Sequence, residues 1–132
     1  MPHKIFNPPA LHRPAGYSHV AEVTGGKAIY IAGQVAVDAH GQIVGAGDLG
    51  AQIEQVFKNL GAALESAGAR FSDVVKLNCY CVESVEASQI GVFREIRDRY
   101  VSTANPPAST FVYVSRLVRP EWLIEVEAIA AI

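Results

Sequence analysis

Leu123-Ile124-Glu125-Val126-Glu127-Ala128-Ile129-Ala130 decides the architecture, because its alternation reads as a strand with two unlike faces. Successive strand residues point to opposite sides, so Ile124, Val126 and Ala128 share one face while Glu125 and Glu127 share the other. A carboxylate on such a strand needs solvent, a partner or a task. A solvated sheet face is the ordinary alternative to a site. Just upstream, Asn105-Pro106-Pro107-Ala108-Ser109-Thr110-Phe111-Val112-Tyr113-Val114 reads as another strand, entered through two prolines that no helix can cross.

Working outward, a short strand is expected at Lys4–Phe6, followed by a proline-rich extended loop to Pro14. Val20–Thr24 and Lys27–Val37 are expected to pair as a hairpin across Gly25-Gly26. The second of these is apolar on both faces and is interrupted by Gly33, which predicts a bulge or a close approach by another group. Asp48 is the expected N-cap of a helix in which Leu49, Ile53, Val56, Leu60, Leu64 and Ala67 recur at helical spacing before Gly68 ends it. A strand over Val74–Val82 follows. A second helix over about Val85–Val101 turns Ile90, Phe93, Ile96 and Tyr100 inward and Arg94, Glu95, Arg97, Asp98 and Arg99 to solvent. Two helices cover only one face of so wide a sheet, so the other face calls for a second sheet or a second subunit.

The 132 residues are read as one domain, 1–132, with half of them apolar, 18% charged and a net charge of -2. That balance offers no footprint for a phosphate backbone or an anionic bilayer, so neither nucleic acid nor membrane is an expected partner. The first residues lack the apolar core of a signal peptide and no apolar run reaches the ~20 residues of a membrane span, which predicts a cytoplasmic protein. Cys79 and Cys81 fall on one face of a strand, where a disulfide would distort the backbone, and are expected to be buried, inert thiols. The four histidines lack the close spacing of a zinc site, so no metal is expected.

The order and spacing of several motifs resemble the Rid proteins, also called the YjgF family of enamine and imine deaminases. Pro14-Ala15-Gly16-Tyr17-Ser18 is similar to the family's Gly-Pro-Tyr-Ser loop, and Ile31-Ala32-Gly33-Gln34 to its Ser-Gly-Gln strand. Asp48–Gly68 resembles its first helix, and Pro107–Thr110 with Ile124–Ala130 its closing signature. The resemblance implies an α+β, chorismate-mutase-like fold, with a mixed sheet backed by two helices. It further implies a homotrimer whose sheets form a barrel with clefts between subunits. The implied activity is hydrolysis of a reactive enamine or imine to a carbonyl compound and ammonia, without metal or organic cofactor. By the same resemblance Glu125 orients or deprotonates the water. Tyr17, Gly33, Thr110 and Phe111 line the cleft.

One departure is chemically large. Active members of the family carry arginine where this chain has Ser109, and that arginine grips the substrate carboxylate in a bidentate pair. Losing one side of a desolvated charge pair costs about 2–5 kcal/mol, which argues against 2-aminoacrylate as the substrate. Arg13, four residues before Tyr17, is the candidate replacement, and His19 is a second polar group able to face the cleft. The alternative function is a noncatalytic trimer that binds a metabolite or a partner in the same clefts. Ribonuclease activity, claimed for some relatives, finds no support in the charge or in an acid–base histidine pair.

Overall fold

The computed structural model describes residues 2–132. Strands β1 (His3–Phe6), β2 (Val20–Val23) and β3 (Ala28–Gln34) precede helix α1 (Leu49–Ser66). Strand β4 (Val74–Val82), helix α2 (Ile90–Arg97) and strands β5 (Ala108–Val114) and β6 (Ile124–Ala131) complete the chain. The main sheet has the order β3-β6-β4-β5, with β4 and β5 parallel and the other neighbours antiparallel. This is the mixed sheet with two helices on one face that the sequence predicts. No helix is long and apolar enough to cross a membrane among the described residues.

The decisive stretch behaves as its alternation requires: Ile124, Val126, Ala128 and Ala130 are buried, whereas Glu125, Glu127 and Ile129 are half-buried. The buried row meets Ile53, Phe57, Leu60 and Leu64 of α1 together with Leu77, Cys79 and Cys81 of β4 in one core. Phe57 stacks on Tyr100 at 5.2 Å between centroids and meets Phe93 at 6.1 Å, locking α1 to the segment containing α2. The Tyr100 hydroxyl donates to Glu54 at 2.8 Å, a bond that, with Arg99 nearby, holds the Glu54 carboxyl below its ordinary pKa.

Helix α1 starts and stops by the expected signals. Asp48 accepts from the Ala51 N–H at 3.1 Å. At the other end Gly68 takes φ +76°, while the Gly68 and Ala69 N–H groups bond the Glu65 and Leu64 carbonyls at 3.0 and 2.9 Å.

Three expectations are corrected. Val20–Thr24 and Lys27–Val37 do not form a hairpin: β2 pairs with β1, and β3 pairs with β6. Gly25 and Gly26 do turn the chain at positive φ. However, Lys27 and Ile132 exchange backbone bonds of 2.6 and 3.0 Å, so the C-terminal strand captures β3. The second helix is shorter than Val85–Val101, with a 3₁₀ turn at Ala87–Gln89 before α2. On it Arg97 lies buried, 8% exposed, not in the solvated row. The spacing explains this: 93, 96, 97 and 100 follow the i, i+3, i+4, i+7 rule and form one inward stripe.

Candidate functional site

Gly33 breaks β3 in both predicted ways. The register with β6 shifts between Ile31 and Gln34, and the Glu125 carboxylate lies against the bare backbone at the break. A Cβ on Gly33 would land on Glu125 Oε2 and sit 2.8 Å from Cδ, so only glycine lets the carboxylate occupy this place. The two glutamates of β6 are not equivalent. Glu127 accepts a short bond from the Tyr80 hydroxyl, which is the main reason the Tyr80 pKa is raised, with burial second. The Glu125 carboxylate makes no hydrogen bond among the described residues.

Helix α1 holds both sides of this contact through polar side chains on its inner face. Gln52, fully buried, donates to the Gly45 and Glu121 carbonyls at 3.1 and 2.9 Å and accepts from the Leu123 N–H at 2.8 Å. That fixes the entry into β6. Asn59 donates to the Val35 and Val37 carbonyls at 3.0 and 2.9 Å, fixing the exit from β3. The periodic apolar pattern gives no hint of these two tethers. Their signal is an amide on the buried stripe of an otherwise apolar helix.

A second concavity, of about 810 Å³, lies between β5, α2 and the loop that carries Tyr17. Ser18 builds its rim: its N–H bonds the Pro107 carbonyl at 3.1 Å and it bridges to Ala108, which sets Tyr17 beside the start of β5. The Tyr17 hydroxyl lies 2.8 Å from His12 Nε2, and His19 Nε2 lies 2.8 Å from the His12 carbonyl, so three rings buttress one another. Tyr17, Ser109, Thr110 and Phe111 therefore come together, with Arg94 and Arg97 of α2 on the opposite wall. Arg13 is exposed and is not part of this lining.

One chain does not unite all the expected site residues. Ser109 and Phe111 pair with Leu77 and Cys79 on the helix-facing side of the sheet, whereas Glu125 pairs with Tyr80 on the other side. Strand β4 also stands between β5 and β6, a separation of about 10 Å. The Gly33–Glu125 pair and the Tyr17–Phe111 cavity are thus two separate places near opposite edges of the sheet.

The thiols are buried and unpaired, as expected. Burial pushes Cys79 up to about 12, against the opposing pull of the Ser109 hydroxyl and the Arg97 charge, and pushes Cys81 to about 11. At neutral pH both are protonated and are not nucleophiles.

A mixed sheet with two helices on one face, a carboxylate seated on a strand glycine and a tyrosine loop pinned to the edge strand define the class: an α+β protein of the Rid type. The profile described as Endoribonuclease L-PSP matches residues 9–132, and the chain belongs to that family, the Rid or YjgF proteins. The crystal structure of a conserved Rid family protein of unknown function, YyfB from Yersinia pestis, superposes with a TM-score of 0.90 at 39% identity, covering 100% of both chains. A RutC family protein of Pyrococcus abyssi is 38% identical over 120 residues, 89% of this chain and 88% of that protein. The 2-iminobutanoate/2-iminopropanoate deaminase of Rattus norvegicus is 35% identical over 105 residues, 79% of this chain and 72% of its own length.

Proposed function

We propose that this protein hydrolyses a reactive imine or enamine to a carbonyl compound and ammonia, in clefts built between copies of the chain. The observation that carries this reading is the Glu125 carboxylate, half-buried against Gly33 and free of hydrogen bonds among the described residues, while its neighbour Glu127 is engaged by Tyr80. A carboxylate so placed has acceptor capacity left for a water.

The chemistry asks little of the protein, since the imine carbon is already electrophilic. Glu125 takes a proton as the water oxygen bonds to that carbon and the C=N π electrons move to nitrogen, giving a carbinolamine after nitrogen is protonated. Proton return to nitrogen, with loss of the hydroxyl proton, breaks the C–N bond and releases ammonia as the carbonyl forms. No electrons are exchanged with an external acceptor.

Sites near opposite sheet edges meet when copies associate head to tail, and a heterologous contact whose rotation closes gives a ring. The homotrimer implied by the family resemblance is such a ring. The sheet face without helices has the surface to support it, with Tyr30 77% and Val112 40% exposed. Ser109 supplies no counter-charge for a substrate carboxylate on β5, so 2-aminoacrylate is not the expected substrate. The same serine favours a second reading, a trimer that binds a metabolite without turning it over.

The test is the decay of enzymatically generated imines with catalytic amounts of protein of measured mass. Glu125→Gln should keep the trimeric mass and lower turnover by about 10²–10⁴-fold. A monomeric mass at micromolar concentration refutes the shared cleft. Trimeric protein that accelerates no imine refutes the deaminase and leaves the binder.

A further inference from the structure

The cavity between β5 and α2 contains a charge imbalance that Ser109 alone does not suggest. Two arginines, Arg94 and Arg97, line it and no carboxylate does. Arg94 is exposed, but Arg97 is 8% exposed, and a buried guanidinium is costly unless it is paired and bonded. Its one ion-pair partner among the described residues is its chain neighbour Asp98. Nε and Nη2 both donate to the same oxygen of that carboxylate, at 3.0 and 2.9 Å, and the Asp98 side chain is 43% exposed. Nη1 has no hydrogen-bond partner among the described residues. Asp98 thus takes up Nε and Nη2 and leaves the Nη1 donors for another acceptor.

The guanidinium is also held in place. It lies below the Phe93 ring at 5.9 Å, and Gly16, at φ +78°, passes so close that a Cβ there would sit 2.6 Å from Nη2. Its field reaches the Cys79 thiol, the same thiol that neighbours the Ser109 hydroxyl. Arg97 is thus a fixed cation in the wall facing Ser109.

We propose that Arg97 is the anion anchor of this cavity and determines its specificity: it binds the carboxylate of a 2-imino acid from the α2 wall, in place of a cation on β5. The inference rests on the deaminase reading for the word imino and stands on the cavity for the carboxylate. Placing the anchor across the cavity from β5 leaves Phe93, Phe111 and Tyr113 to face the rest of the ligand, so the preferred acid carries an apolar side chain bulkier than that of 2-aminoacrylate.

The test is calorimetric titration with 4-methyl-2-oxopentanoate, a stable keto-acid product, and with its neutral amide. Wild-type protein should prefer the acid at least 10-fold, and Arg97→Gln should weaken acid binding about 30-fold while leaving the amide unchanged. Ser109→Arg in the Arg97→Gln background should restore acid binding. If Arg97 serves only the C-terminal end of α2, Arg97→Gln lowers the melting temperature and leaves acid affinity intact, which overturns the proposal. Should that variant not fold, the wild-type comparison decides: equal affinity for acid and amide, or no acid binding, overturns it too. Acid binding through Arg97 without turnover of any imine sinks the deaminase reading and keeps the anchor. Turnover of imines regardless of a carboxylate, unchanged in Arg97→Gln, does the reverse.

Discussion

Gly33→Ala separates the role of Glu125 in catalysis from its role in packing. The new methyl would clash with Glu125 Oε2 and stand 2.8 Å from Cδ and 3.0 Å from Cγ. Carbon atoms in contact prefer about 3.5–4.0 Å, so the carboxyl group must retreat by about 1 Å. The three nearest atoms all belong to one flexible side chain, and Gly33 is not among the glycines at positive φ. Alanine is therefore compatible with the backbone, and the stability change should stay within about 1 kcal/mol. A displacement of 1 Å in a positioned group costs on the order of 10²-fold in rate. We expect kcat/KM for imine hydrolysis to fall about 10²-fold in Gly33→Ala, with denaturation midpoint and oligomeric mass close to wild type. Full activity in a folded Gly33→Ala protein would mean that the observed seat of Glu125 is irrelevant to turnover, and the assignment of Glu125 as the water-handling group would fall with it.

Gln52→Leu should destabilise the protein by about 2–4 kcal/mol in denaturant unfolding, because it strips partners from the Leu123 N–H and from the Gly45 and Glu121 carbonyls. A loss below about 0.5 kcal/mol would show that the tether is dispensable. The thiols predict an alkaline limit with a definite sign. Folded-state values of about 12 for Cys79 and about 11 for Cys81, against an ordinary 9.0, favour the neutral thiol in the native state. Their contribution is complete below pH 9 and is lost as pH rises through 11 and 12. Iodoacetamide at pH 8 should label both cysteines only after unfolding, and rapid native labelling would refute their burial.

The sequence made the sheet and α1 legible because alternation and the 3.6-residue period are local signals, and the Asp48 and Gly68 caps are local too. Strand pairing is not local. The Gly25-Gly26 turn suggested that β2 and β3 were partners, but the C-terminal strand competes for β3 and wins. Gly33 was readable as an interruption, and the structure supplies what approaches it. Tyr17, Ser109, Thr110 and Phe111 proved to share one cavity, whereas Arg13, chosen for its nearness to Tyr17 in sequence, stays on the surface outside it. The charge of Arg97 points to solvent, but its phase on the helix does not. Counting four from Phe93 places it on the inward stripe, next to the aromatic cluster.

That phase also bears on how a site can change its anion contact without changing its fold. Ser109 and Arg97 line the same cavity, one on an edge strand and one on a short helix. An arginine on β5 would place a second buried guanidinium near the first, and like charges in a poorly solvated space repel by several kcal/mol unless an anion lies between them. A small hydroxyl at 109 is therefore the residue type compatible with a buried cation at 97. It lies beside the Cys79 thiol and is smaller than an arginine, which leaves cavity volume open. On this argument Ser109→Arg alone should be destabilising in the ligand-free protein and partly rescued by a carboxylate ligand, whereas the same change combined with Arg97→Gln should not be. Equal stability of the two Ser109→Arg proteins without ligand would mean that the two positions are too far apart to compete for one anion.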